Sequence, residues 1–202
     1  MVTVTAAGSG FTTRPTVTFT PAVGDTTGTG ATATATAKVV TVTIGDVAGT
    51  GYTNGDVVTA AGGTGTKATF TVTTDGTGIP TALALTTAGS YTALPTLDEN
   101  AVTGGTGTGL TVDLVIGLNA VTVTNAGSGY TANPTVAIGG AGGINATATA
   151  ARISTAGSEA KKVAHAGWVV RKDRGNGRVQ YETLVAMGSI QSDGDDDTKF
   201  PE

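Results

Sequence analysis

Three stretches of the sequence carry residue types that could do chemistry. His165 is the only histidine, and Ser158 and Asp173 stand close to it in the chain, the residue types of a nucleophile, a base and an orienting carboxylate. The run "DGDDDT" (193–198) sets carboxylates at alternate positions, as a calcium-binding loop does. The clusters "GTGTG" and "GAGG" have the glycine density of phosphate-binding loops. None of the three is complete. No nucleophile elbow surrounds the serine, and a histidine beside Trp168 on a strand reads as a packed or surface residue. The acidic run lacks the glycine at its sixth position and the distal glutamate, so it reads as a solvated tail. The glycine clusters lack the Lys-Ser/Thr of a phosphate loop and no helix follows them. Asp46, Asp56 and Asp75 are scattered over loops, where aspartate caps turns. "NAT" (145–147) has the form of a glycosylation sequon only. The expectation is therefore a protein without catalytic residues, cofactor or metal.

Composition narrows the partners. The chain has 202 residues, 11 Lys and Arg against 15 Asp and Glu, and a net charge of −4. The first 150 residues hold no basic stripe interleaved with aromatics, which argues against nucleic acid. Cysteine is absent, which excludes disulfides, thiolate metal sites and cysteine nucleophiles. No apolar run approaches the roughly 20 residues of a membrane span. The N-terminal "MVTVTAAGSG" resembles no export signal, so a soluble chain is expected. Hydrophobic residues make up 39% but aromatics only 4%. Threonine is the commonest residue, ahead of 32 glycines, a composition that favours strands and tight turns around a thin core.

The elements that would position these groups repeat. "GSGF" (8–11), "GTGY" (49–52), a shortened "GSY" (89–91) and "GSGY" (127–130) place Phe11, Tyr52, Tyr91 and Tyr130 at spacings of 41, 39 and 39 residues. A near-constant period of this size marks an internal repeat. Four residues after the aromatic stands Pro15, Pro95 or Pro134, with Asp56 in the second unit. A second glycine cluster then leads into an alternating run such as "ATATATA". Alternation of period two is the signature of a half-buried strand, and the β-branched threonines and flanking glycines rule out a helix. Each repeat is predicted to be a strand, a turn, a short strand, a Gly-rich loop and a strand. One aromatic per unit should plug the small core, with the tyrosine hydroxyls left wet. The fold expected is all-β: about four repeats forming small sandwich-like or stacked modules over residues 1–153.

After a linker at 154–160 the texture changes. Residues 161–190 hold the only Trp, the only His and most of the basic residues. Apolar residues alternate on both sides of "DRGNG" (173–177), which predicts a β-hairpin. Such a hairpin is marginal alone and needs a surface to pack on. Residues 191–202 form an acidic tail, expected to be disordered when free. The candidates for contact with a partner are His165, Trp168, Tyr181, Leu184 and Met187, and the basic group Arg171, Arg174 and Arg178 around the turn.

The turn "GSGYT-x-x-PTV" followed by "GTGATATA" resembles the Gly/Thr-rich repeats of virion structural proteins of tailed bacteriophages. "HAGWVVRKDRGNGRVQYETLVAMGSI" with its acidic end is similar to the C-terminal segment of structural proteins in phages of marine bacteria and cyanobacteria. The pattern there has a longer Gly/Arg-rich turn; Asp173, Arg174 and Asn176 make this one shorter and more polar. The resemblance implies a virion component made in the host cytoplasm, with no enzymatic activity. The first expectation is a capsid decoration or cement protein on the particle surface. Its C-terminal segment would anchor it to the major capsid protein, to other virion proteins or to neighbouring copies. A symmetric homo-oligomer is expected, a trimer among the candidates. The alternative is a tail fibre or adhesin-like protein whose loops bind host-surface glycans.

Overall fold

The computed structural model describes residues 1–152 and two further strands. The chain divides into two compact units, Met1–Arg152 and Ile153–Glu202. The first unit is built from strands β1 (Val2–Ser9), β2 (Thr16–Thr20), β3 (Thr29–Ile44), β4 (Val57–Ala60), β5 (Thr64–Thr66), β6 (Thr69–Thr74), β7 (Pro80–Thr87), β8 (Ser90–Ala93), β9 (Asn100–Thr103), β10 (Thr111–Ser128), β11 (Thr135–Gly139) and β12 (Ile144–Ala150). In the second unit β13 (Gly167–Lys172) and β14 (Val179–Leu184) pair antiparallel. The all-β class is as expected, and the described residues contain no helix.

The repeats pair out of order. The last strand of repeat one runs unbroken into the first strand of repeat two as β3, and β10 joins repeats three and four in the same way. These two long strands pair antiparallel from Ile44↔Val112 to Thr29↔Ser128. Consequently repeat one meets repeat four, and repeat two meets repeat three. In the outer pair, β1 lies on β12 and β2 on β11. In the inner pair, β7 lies on β6 and β9 on β4. Each pair thus joins first strand to last strand twice and short strand to short strand once. The two halves of the unit repeat one set of pairings.

The two pairs differ in how completely they close. In the inner pair one sheet runs through β10, β9, β4, β6 and β7. It curls until β7 returns to β3, where the Val39 N–H donates to the Ala88 carbonyl. Val39, Val58, Phe70, Val72, Val112, Ile116 and Leu118 are wholly buried inside it. The ladders from β3 to β7 pair most of the backbone groups that face this core, which lowers the cost of burying them. In the outer pair β1–β12 and β2–β11 remain separate two-stranded sheets, and none of those four strands contains a wholly buried residue. The thin core expected from an Ala/Thr/Val composition is therefore a property of the outer pair. The inner pair gathers the leucines, with Phe70 and Ile116 wholly buried among them.

Threonine decorates the outside of both. Thr5 with Thr147, Thr32 with Thr124, Thr69 with Thr87 and Thr71 with Thr86 exchange cross-strand hydroxyl hydrogen bonds of 2.6–2.8 Å. Such opposed pairs stabilise a sheet by a few tenths of a kcal/mol up to about 1 each.

Candidate functional site

The repeated aromatic turn and the repeated glycine loop are two halves of one contact. Each ring lies on a glycine of the partner repeat. A Cβ built on Gly143 would fall inside the Phe11 ring, one on Gly28 inside the Tyr130 ring, and one on Gly107 inside the Tyr52 ring. One on Gly63 would stand 2.9 Å from Cδ1 of Tyr91. So repeat one receives the ring of repeat four and gives its own in return, and repeats two and three do the same. The turn glycines allow the close approach: Gly8 has a φ of +59° and Gly127 of +68°, and a Cβ on either would stand 2.3 Å from the Ile144 or Thr29 carbonyl oxygen.

The residue after each ring is a threonine tied to the same partner loop. The Thr12 N–H donates to the Ala141 carbonyl at 2.9 Å, and the Thr92 hydroxyl to the Thr64 carbonyl at 3.3 Å. At the other two rings a carboxylate does the joining. Asp25 accepts from the Thr131 N–H on one oxygen, and from the Thr27 and Gly28 amides and the Thr27 hydroxyl on the other. Asp56 accepts from the Thr53 amide and from both the amide and hydroxyl of Thr106. Asp56 stands where the other repeats have proline, so the departure from the pattern supplies the clamp. Asp75 caps its own turn through Thr77 and Ile79.

Burial follows position. Phe11 and Tyr91 sit beside the long strands, where the Phe11 N–H donates to the Ile116 carbonyl and Tyr91 pairs with Ala37. They are 2% and 0% exposed. Tyr52 is buried and Tyr130 half-buried. Pro15 and Pro95 are buried and Pro134 half-buried. The hydroxyl of Tyr91 departs from expectation: it is not wet but accepts from the Ala68 N–H at 2.7 Å inside the core, and burial pushes its titration up.

Electrostatics separate the clamps from one acidic cluster. Partial desolvation pushes Asp25 up, but the donors from Thr131, Gly28 and Thr27 outweigh it and hold the carboxyl at about 2. The amides of Thr106 and Thr53 hold Asp56 low, and the Thr77 hydroxyl and amide do so for Asp75. Asp98 moves the other way, raised chiefly by the negative charge of Asp113. Oxygens of Asp98, Glu99 and Asp113 lie within 4.8 Å of one another, a separation at which carboxylates can share a divalent cation. Glu99, at φ +50°, accepts from the Asp46 amide and the Thr111 hydroxyl while its own N–H donates to Asp113. These bonds tie the turn before β9 to Thr111 and Asp113 on β10 and to Asp46 just beyond β3. Of these four only Asp46 stands out in the sequence, because Asp113 reaches "LDEN" only through the strand pairing.

The partner-contact candidates fall in the second unit. Trp168 and Arg171 lie on β13, Tyr181 and Leu184 on β14, with Trp168 opposite Thr183, Arg171 opposite Gln180 and Gly167 opposite Leu184. His165, Arg174, Arg178 and Met187, with Ser158 and Asp173, lie outside the described residues.

No family model matches the chain, and no solved structure matches it. Among curated proteins it is similar to the uncharacterized protein VP1 of Micromonas pusilla reovirus, 36% identical over 114 residues. The match covers 46% of this chain and 6% of the viral protein, so the chain spans a small fraction of that relative's length. This likeness is viral and lies outside the tailed phages.

Two outcomes test the contacts. Gly107→Ala is expected to cost about 1–3 kcal/mol by overpacking and Tyr52→Ala about 3–5 kcal/mol, while the double variant costs less than their sum, because the methyl fits once the ring is gone. Additive losses in urea denaturation would contradict the contact. Because folded Asp25 titrates below the ordinary 3.8, its contribution is complete above that pH and is lost as pH falls through about 2. Asp25→Asn should therefore be less stable than the parent near neutrality, with the gap closing on acidification through that window; a gap independent of pH would contradict the clamp.

Proposed function

We propose that this chain is a non-enzymatic structural component of a virus particle, a capsid decoration protein held to the shell or to neighbouring copies by residues 161–190. The observation that carries the reading is the use made of polar groups in the first unit. Asp25, Asp56 and Asp75 each spend their carboxylates on turn amides and hydroxyls, and among the described residues no buried side-chain polar atom lacks a partner. A catalytic site ordinarily keeps such groups free or poised. What this unit presents outward is threonine on a sheet framework, suited to display and coating. The partial likeness to a reovirus protein supports a viral setting.

Binding by the second unit would rest on a few large anchors, Trp168, Tyr181, Leu184 and Met187, with Arg171, Arg174 and Arg178 meeting an acidic surface. The glycan-binding adhesin is the weaker reading. Sugar sites commonly stack an exposed ring, whereas Phe11, Tyr52 and Tyr91 are buried and Tyr130 half-buried against the partner repeat's glycine.

Two measurements on purified particles test the proposal. Quantitative mass spectrometry should find this chain at a copy number comparable to the major shell protein, or a simple fraction of it. A chain lacking residues 161–202 should no longer bind particles stripped of the protein. A handful of copies per particle would move it to the tail or neck, and a truncated chain that still coats particles would remove the anchor.

A further inference from the structure

The outer pair is made by two arms that leave the inner pair at neighbouring points. Residues 1–37 depart where Lys38 faces Gly117, and residues 119–152 depart beside them, at the register shift between Leu118 and Ala120. Apart from the Ala37↔Tyr91 bridge that joins β8 to β3, the inner pair draws its ladder from the contiguous stretch 38–118, and it holds most of the wholly buried residues. It can close first, with each arm still open.

What holds one arm is chiefly the other. Three ladders join them, β1 with β12, β2 with β11, and the first half of β3 with the second half of β10. Two ring-on-glycine locks join them as well, Phe11 on Gly143 and Tyr130 on Gly28. Against this the arms have fewer ties to the inner pair: Phe11 N–H to the Ile116 carbonyl, Arg14 to the Thr92 carbonyl, the Ala37↔Tyr91 bridge, the buried Ala35 and Ala37, the close approach of Ala7 and Gly8 to Gly117, and Asn119 to the Ser90 hydroxyl. The arms also carry the thinner burial of the unit, so they open before the inner pair does. Open, each displays an aromatic and a glycine loop whose complement is present on every other copy.

We infer that the two arms form an exchange interface for a second copy of this chain, with repeat one of one molecule closing on repeat four of another. All three ladders and both locks are then made between molecules as they are within one. Only the hinges at Lys38 and Leu118–Ala120 differ. The tether of the inner pair sets the effective concentration that favours the closed monomer, and protein concentration opposes it. Reciprocal exchange gives a closed two-fold dimer, and one-way exchange an open chain. The inference concerns the first unit alone and stands or falls apart from the virion reading.

The chain has no cysteine, so a single introduced thiol reports cleanly. Thr3 and Thr149 are paired across β1 and β12, and both are exposed. Chains carrying Thr3→Cys or Thr149→Cys, one of them tagged for size, are refolded together at high concentration and oxidised. A mixed disulfide dimer should form several-fold more abundantly than one between Thr3→Cys and Thr41→Cys, whose thiol sits on an exposed position of β3 away from the arms, and should fade when refolding is dilute. A mixed dimer no more abundant than that control overturns the inference. The unmodified chain decides independently of any variant: refolded at high concentration it should sediment as a dimer that survives dilution, and a monomer at every refolding concentration overturns the exchange.

Discussion

An aromatic ring resting on a glycine that has no room for a Cβ is the contact on which the first unit depends. It occurs four times, at Phe11, Tyr52, Tyr91 and Tyr130, and each time ring and glycine come from different repeats. A sequence this poor in large side chains cannot fill a core between all its strands. It can anchor each pair of repeats at two points and let Ala, Val and Thr pack between them. The threonine that follows each ring then ties the turn to the partner loop, directly at Thr12 and Thr92 and through Asp56 or Asp25 at Thr53 and Thr131.

Much of this was legible in the residues. Period, strand alternation, glycine turns and one structural aromatic per unit all follow from local pattern, because turn chemistry and the two-residue period of a strand are local properties. The pairing of repeats was not legible. The four glycine loops offer rings the same chemistry, so nothing nearby in sequence says that Tyr130 belongs to Gly28, 102 residues away. That choice is made by β3 and β10, whose continuity across the repeat boundaries forces one with four and two with three. The same remoteness hid the Asp98, Glu99 and Asp113 cluster, and it hid the reason Asp56 replaces proline. The buried hydroxyl of Tyr91 was missed because its partner is a backbone amide, Ala68 N–H, that no residue type announces.

The division of the chain follows the same economy. The inner pair concentrates the large apolar side chains in one curled sheet, and the outer pair is left with ladders, locks and threonine hydroxyls. Asp25, Asp56 and Asp75 in the first unit hold turns. The second unit supplies the Trp, His and most of the basic residues that the first lacks, and it is where the proposed function seeks its partner.

The most direct test of the interleaved locks is solution NMR of the glycine Hα protons. An aromatic face shifts a proton beneath it upfield and gives a nuclear Overhauser effect to the ring. Gly28 should report Tyr130, Gly63 Tyr91, Gly107 Tyr52 and Gly143 Phe11. Contacts inside single repeats instead, Gly28 with Phe11 or Gly63 with Tyr52, would mean that the repeats fold one by one and that the pairing described here is wrong.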